Sequence, residues 1–316
     1  MVLQQLLQRS SGGNYPAITG LELNKVLIPL PPVPIQRVLV SEMEVARESR
    51  RRKLAETEAL LSGLDTFLLD RLGLTPKKTS FPRFFAARLK DAWGRCDPDY
   101  HSPKFKELRE SIERCGHPVV PVGDLCYSIR TGFAAGREAQ AFNDTQGIPH
   151  IRPLNISAHG ELSFDGTKYV PKDRVGDSEV IRESEVLLNN TNSTEWVGKT
   201  TVFEGERPCC CSNHITRLVV DRSVVLPWYL ALLFNAIRST GYLGLIATNF
   251  VNQAGINTET LSALRLPIPN EKTQREIVDE LRHRRIEARR LREEALQEWE
   301  AAKARFEAKL LSGHEI

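Results

Sequence analysis

The chain has 316 residues, 41% of them apolar and 26% charged, with a formal net charge of +3 and a pI near 8.5. This is ordinary globular usage, which excludes a disordered or collagen-like chain, and the near balance of charge neither demands nor excludes nucleic acid. No run of about twenty apolar residues argues for a transmembrane helix, and residues 1–10 lack the basic-then-apolar pattern of a secretory signal.

Residues 1–30 read as the closing stretch of a module that recurs whole later in the chain. Ile28-Pro-Leu-Pro31 falls on Leu266-Pro-Ile-Pro269, an offset of 266 − 28 = 238. The same offset sets Gln36-Arg37 on Gln274-Arg275, Leu39-Val40 on Ile277-Val278, Glu42-Met43 on Glu280-Leu281, Ile18 on Ile256 and Leu23 on Leu261. Further back, Arg9-Ser-Ser-Gly12 echoes Arg238-Ser-Thr-Gly241 at a slightly shorter offset. Repeats of this kind decide the architecture before any single element does.

Pro31, Pro32 and Pro34 mark a helix entry, since proline is tolerated in a first turn and breaks a helix elsewhere. From about Ile35 to Leu72 the positions Leu39, Met43, Ala46, Leu54, Thr57, Leu61, Leu64 and Leu68 keep helical spacing, and Gly73 ends the run. Between about Thr75 and Arg265 the pattern turns mixed. A short amphipathic helix is predicted at Pro103–Arg114 and strands at 126–130, 148–154, 185–188, 200–203 and 214–220. A helix with its proline in the first turn is predicted at 227–237, and such elements make one compact α+β domain. A second long helix follows from about Lys272 to Leu311, with Ile277, Leu281, Ala288, Leu291, Ala295, Trp299, Ala302, Phe306 and Leu310 on its stripe and Gly313 beyond.

Arg and Glu crowd the flanks of both stripes, the pattern of a coiled coil. A helix of about 38 residues is roughly 57 Å long and cannot bury such a stripe alone. With a whole domain between them, the two helices are expected to pair antiparallel. The fold class is therefore α+β, a mixed α/β domain plus two long helices forming an antiparallel coiled coil.

Several motifs then stand in a fixed order. They are Asp97-Pro-Asp-Tyr-His-Ser-Pro-Lys-Phe105, Val122-Gly-Asp-Leu125 with a turn at Gly132, and Gly147-Ile-Pro-His-Ile-Arg-Pro-Leu-Asn-Ile156. Leu187-Leu-Asn-Asn-Thr-Asn-Ser193 with Val197-Gly198, Cys211-Ser-Asn-His-Ile-Thr-Arg-Leu218 and Pro227-Trp-Tyr-Leu-Ala231 follow. In this order the central segment resembles the target recognition domain of type I restriction-modification specificity subunits. The two proline-led entries, each with Gln-Arg and a long helix, resemble that family's conserved spacers. The resemblance divides the chain into a remnant end of a preceding recognition domain (1–30), a first spacer helix (31–74), a target recognition domain (75–266) and a second spacer helix (267–316). It also marks a departure: the family's plan has two recognition domains, and this chain looks like a half-subunit.

What the resemblance implies is recognition of double-stranded DNA, one half of a bipartite site, by a chain with no catalysis of its own. The paired helices would act as a ruler and dock methyltransferase subunits. Partner subunits would bring S-adenosylmethionine, and a motor-nuclease subunit would bring ATP with Mg. Self-dimerisation would restore two recognition domains. The residues agree in lacking a Gly-x-x-x-x-Gly-Lys-Ser/Thr phosphate loop, a Gly-rich cofactor turn and an Asn/Asp-Pro-Pro-aromatic run. Two rival readings are the specificity end of a single-chain restriction-methylation enzyme and a coiled-coil scaffold without a DNA role.

Candidate sites each have a plainer alternative. In the polar loop 189–194, Asn190, Asn192 and Ser193, with Lys199 and Thr200 nearby, suit base and phosphate contacts, since Asn pairs bidentately with adenine. A simple turn suits them as well. Arg130 and Arg152, like Lys168 and Arg174, suit phosphate or guanine, or are solvated charges. Arg50–Lys53 and Arg282–Arg292 face DNA or a partner, or are coiled-coil flanks balanced by Glu56, Glu58, Glu287 and Glu293. The stripe residues Leu54, Leu61, Leu64, Leu68, Leu281, Leu291, Trp299 and Phe306 are the helix-pairing and partner set. Cys209-Cys-Cys-Ser-Asn-His214 tempts a zinc reading, but no second ligand pair stands out, and reduced cysteines filling a strand fit better. With Cys96, Cys115 and Cys126, the usage suits a reducing cytoplasm. Asp165-Gly-Thr-Lys168 passes for part of a nuclease centre but is better explained as a hairpin turn.

Overall fold

In the computed structural model the described residues are 2–12, 15–74, 80–82, 84–88, 90, 97–136, 145–205, 207–251 and 253–312. Cys96, Gly313 and the expected domain boundary at Thr75 lie outside them. The chain divides into two compact units, residues 1–59 with 287–316 and residues 60–286. In chain order the elements begin with α1 (Val2–Arg9), α2 (Gly20–Leu23), α3 (Val33–Arg71) and α4 (Pro103–Glu113). Strands β1 (Val119–Pro121), β2 (Cys126–Thr131), β3 (Gly147–Ile151), β4 (Lys168–Pro171), β5 (Val186–Asn189) and β6 (Thr191–Asn192) come next. Then follow β7 (Thr200–Val202), β8 (Cys210–Cys211), β9 (Ile215–Val220), α5 (Pro227–Ser239) and α6 (Tyr242–Ile246). The chain closes with β10 (Thr248–Phe250), β11 (Gln253–Gly255), α7 (Thr258–Ala263), β12 (Arg265–Pro267) and α8 (Glu271–Ser312). No described helix is long and apolar enough to cross a membrane.

The expected helix pair is present and antiparallel. In the first unit Lys309 reaches Glu42, Lys53 Nζ bonds Glu298 at 2.6 Å and Glu294 at 2.8 Å, and the Thr57 hydroxyl meets the Ala288 carbonyl at 3.4 Å. One helix number rises as the other falls. Leu291, Ala295 and Ala302 are buried in this seam, while Leu54, Trp299 and Phe306 are half-buried. The Arg50 guanidinium lies over the Trp299 ring, 5.4 Å from its centroid. In the second unit Leu61, Leu64, Leu68 and Leu281 are buried, Arg71 bonds Glu276 at 3.0 Å, and Arg284 lies over Phe67. Of the basic runs, Arg51 pairs with Glu48, and Arg290 with Glu287 and Glu294. Such exposed pairs add little stability each. They answer to the reading of these runs as helix flanks, though Glu294 and Glu298 take most of the role expected of Glu56, Glu58 and Glu293.

The second unit is built on an antiparallel sheet in the order β2-β9-β5-β7, with β4-β3-β8 beside it. Strand β5 reads Val-Leu-Leu-Asn and is buried on every residue, so it is apolar throughout rather than alternating. Helix α5 packs on β5 and β7, and all of Tyr229 to Ile237 is buried. Its Asn235 serves as a strand partner for β7: Oδ1 accepts from Thr200 N at 3.1 Å and Nδ2 donates to Thr200 O at 2.7 Å. Gly198 has φ +93°, and a Cβ there would stand 2.2 Å from Leu243 Cδ1, so glycine lets the chain enter β7 beneath α6.

One charge pair sits in the middle of the sheet. Arg217 on β9 and Glu185, both buried, bond through Nε–Oε2 and Nη2–Oε1 at 2.7 Å each. The guanidinium also donates to the carbonyls of Ser178 and Glu179 at 3.0 Å and Val180 at 2.8 Å. All five of its N–H groups are thus placed. Burial works against the Arg217 charge, but Glu185 outweighs it and the pKa is raised.

Three sequence expectations are refined by the structure. The strand expected over 148–154 stops at Ile151, because Pro153 has no N–H to give and the Asn155 side chain accepts from Arg152 N at 2.9 Å, starting a tight turn. Of the cysteine run, Cys210 and Cys211 form β8 with Cys209 just before it; all three are buried, and burial pushes their thiols up to about 12, 12 and 11. Asp165-Gly-Thr-Lys168 is a turn, with Thr167 N donating to Phe164 O at 3.1 Å.

Candidate nucleic-acid interface

The central sheet ends where β5 runs out at Asn189 and β9 begins at Ile215, which are opposite one another. Two buried asparagines finish that edge. Asn189 Nδ2 donates to Thr191 O at 2.9 Å and His214 O at 3.1 Å. Asn190 Nδ2 donates to Asn213 O at 3.1 Å and Thr216 Oγ1 at 2.9 Å, and its Oδ1 accepts from the Thr191 hydroxyl at 2.7 Å. These bonds satisfy the chain where it leaves the sheet and project residues 191–196 outward.

The projecting segment is held by a second, small sheet in the order β10-β11-β6. Asn249, Ala254 and Asn192 stand in one register row, with Thr248, Gly255 and Thr191 in the next. A Cβ on Gly255 would stand 3.5 Å from the Phe250 ring, an ordinary contact, so the ring lies over this row of the small sheet. Phe250 is nonetheless 65% exposed and Val251 92%. Ser193, Thr194, Thr248, Asn249 and Gln253 are exposed around them. Side-chain amides, hydroxyls and one free aromatic face on a braced platform make an arrangement for hydrogen bonding to base edges and stacking. Arg130, exposed near the end of β2, brings positive charge to the same end of the sheet, since Thr131 stands opposite Thr216, which holds Asn190.

The residues singled out from sequence divide here. Asn192 is half-exposed, with Nδ2 on Asn189 Oδ1 at 2.8 Å and Oδ1 accepting from Ser193 N at 2.9 Å. Ser193 and Arg130 are exposed. Arg152 is half-buried and donates to Gly166 O at 2.9 Å. Asn190, Lys199 and Thr200, in contrast, are interior and hydrogen-bonded within the chain. Thr200 Oγ1 donates to Gly198 O at 2.8 Å. Sequence reasoning missed Thr248, Asn249, Phe250 and Gln253; their signal was a short polar stretch with an aromatic at its centre, too short to read as two strands.

Lys199 is the clearest correction. Its Nζ donates to Pro153 O at 2.8 Å and Ile156 O at 2.6 Å, and burial, with the Arg238 charge, pulls its pKa down. A group spent on two carbonyls is a fastener of the fold. Lys199→Met should therefore lower stability by about 1–3 kcal/mol, the cost of leaving buried acceptors unmet. DNA affinity measured well below the melting temperature should keep its salt slope. A slope reduced by about one, at unchanged stability, would return Lys199 to the phosphate-contacting set.

No protein-family model matches the chain. Over 159 residues it is 25% identical to a Methanocaldococcus jannaschii protein named for the specificity subunit of the type I restriction enzyme MjaX, a match covering 49% of this chain and 36% of that protein. A solved chain from work on complex assembly and conformational transition of the type I R-M system matches in fold with TM-score 0.55 and 20% identity, covering 98% of this chain and 66% of that one. The HsdS subunit of Thermoanaerobacter tengcongensis gives TM-score 0.47 at 20% identity, covering 98% and 65%. The matched segment is about a third of the curated relative's length. The chain is thus similar in sequence to a protein of this name and has the mixed fold of a type I system chain, the resemblance its motifs had already drawn.

Proposed function

We propose that this chain, similar as it is to type I restriction-modification specificity subunits, supplies DNA sequence recognition to such a complex and leaves the chemistry to its partners. The observation that carries the reading is the polar platform at the end of the second unit's sheet, built on asparagines whose own bonds are complete. In this reading the platform reads one half of a bipartite site on double-stranded DNA. The second half-site falls to another recognition domain, reached by self-association or through a partner chain. The paired helices dock methyltransferase subunits, and Val38, Val40 and Val45, 43%, 54% and 69% exposed on α3, offer apolar contact. S-adenosylmethionine would then be held by those subunits, and ATP with Mg by the motor-nuclease subunits.

The test is selection of bound duplexes from a random pool, with methyl transfer from labelled S-adenosylmethionine measured on the same protein. One enriched half-site of a few base pairs and background transfer without added subunits are expected. No binding would leave a scaffold without a DNA role, binding without any enriched sequence would overturn sequence recognition, and transfer by the purified chain would make it an enzyme.

A further inference from the structure

The hairpin of β10 and β11 is built against the pattern that burial would impose on it. Residues opposite one another in an antiparallel pair share a face, and successive residues alternate. Thr248 stands opposite Gly255, Asn249 opposite Ala254 and Phe250 opposite Gln253. One face therefore holds Asn249 and Ala254, and the other holds Thr248, Phe250, Gln253 and Gly255. Ala254 is 0% exposed, so its face is the inward one there. Burial alone would set the large ring on that side. The chain instead carries alanine inward and phenylalanine outward, where Phe250 is 65% exposed. Val251 departs from expectation as well. It is the first of the two residues joining the strands, a place that favours Gly, Asn or Asp, and it is 92% exposed. Two adjacent choices that oppose folding and gain no packing point to function.

The tip is nevertheless firmly held. Strand β11 pairs on its other side with β6. Beyond the hairpin Ile256 is buried and its N–H donates to Asn190 O at 2.9 Å; before it, Ala247 is buried and its N–H donates to Leu243 O at 3.1 Å. The Phe250 ring lies diagonally across Gly255, so one edge of it is supported and the rest is open. A ring placed in advance loses little freedom on contact. The surroundings select the occupant. Thr248, Asn249 and Gln253 are exposed and polar around the tip, and no Asp or Glu occurs from Ser239 to Thr258, so phosphates can approach without repulsion. A protein partner asks for a broad apolar core. Among the described residues of this small sheet, Phe250 and Val251 are the exposed large apolar ones. A narrow apolar spike in a neutral, hydrogen-bonding collar matches the gap that opens between two unstacked base pairs.

We propose that Phe250, backed by Val251, is a wedge that enters between two stacked base pairs beside the half-site and bends the duplex there. This wedge rests on the DNA reading proposed above and names how that site treats its substrate. Unstacking is easiest at the flexible pyrimidine–purine steps, TA and CA/TG. The wedge therefore adds specificity at a step whose base edges no amide needs to touch. Duplexes carrying such a step at one fixed distance from the half-site are favoured.

Duplexes are selected from a random pool by the 316-residue chain, by Phe250→Ala and by Phe250→Trp. The parental chain should enrich a half-site with a pyrimidine–purine step at a fixed position. Phe250→Ala should keep the half-site, lose the step and bind roughly 5- to 150-fold more weakly, the range for one base–aromatic stack. Phe250→Trp should keep both, which separates the loss of the ring from any general damage. In the enriched duplex 2-aminopurine then replaces the adenine of the step, and dyes at the two ends report the bend. With the parental chain and with Phe250→Trp the probe should brighten and the ends draw together. With saturating Phe250→Ala neither should change. An enriched half-site with no preferred step, a probe that stays dark, or a brightening that Phe250→Ala retains would each overturn the wedge while sequence recognition stands. A bright probe in a straight duplex would mean an extruded base and would overturn it too. No enriched duplex at all would overturn the recognition, and the wedge with it.

Discussion

Replacing Arg217 with methionine should destabilise this protein by about 3–5 kcal/mol, a large fraction of the roughly 5–15 kcal/mol that holds a typical domain folded. Removing the guanidinium leaves the Glu185 carboxylate buried with, among the described residues, only the Arg182 N–H, at 2.9 Å, still donating to it. It also strips three carbonyls, on Ser178, Glu179 and Val180, of the donor that ties that loop to the sheet. Arg217→Lys should fail almost as badly, because an ammonium cannot reach five acceptors spread over a planar fork. The double change Arg217→Met with Glu185→Leu should recover part of the loss, since no uncompensated charge remains while the carbonyls still go unmet. Urea denaturation of the four proteins decides it. A single-variant loss below about 1 kcal/mol would mean the pair is open to water and that the guanidinium is not the clasp proposed.

The long helices were legible because their signal is long: seam positions such as Leu61, Leu64 and Leu68 repeat over many turns, and pairing is the way to bury them. The buried strand β5 was legible for its apolar run. What was not legible are elements of two or three residues, whose existence depends on a partner far away in sequence. Strand β12 is Arg-Leu-Pro and forms because Val119–Pro121 lies across it. The hairpin of β10 and β11 forms beside Thr191-Asn192, and no local pattern announces that meeting. Site residues suffered from the same blindness. Asn190, Lys199 and Thr200 have the chemistry of DNA contacts and lie close in sequence, but sequence does not say which of several adjacent polar groups turns inward. Asn190 is committed to the Asn213 carbonyl and the Thr216 hydroxyl, and Lys199 to the carbonyls of Pro153 and Ile156.

On the DNA-reading platform proposed above, Asn192→Ala should shift base preference at one position by about 1–3 kcal/mol, roughly 5- to 150-fold, because hydrogen-bond capacity separates the asparagines. A side-chain amide has two donor hydrogens and two acceptor lone pairs. In Asn192 one hydrogen is on Asn189 and one lone pair on Ser193 N, leaving one donor and one acceptor free. Those are what a bidentate pair with adenine N7 and N6–H requires. Asn190 has both hydrogens committed and cannot make that pair. Asn190→Ala should therefore cost stability and leave preference alone. In the same proposal Arg130 meets phosphate, so Arg130→Ala should weaken binding to all sequences and lower the salt slope by about one. Selection from a random pool, repeated with each variant at two salt concentrations, separates the three outcomes. If the Asn192→Ala protein keeps the parental preference at every position, the reader is not β6, and the amides of Asn249 and Gln253 across the same small sheet become the residues to substitute next.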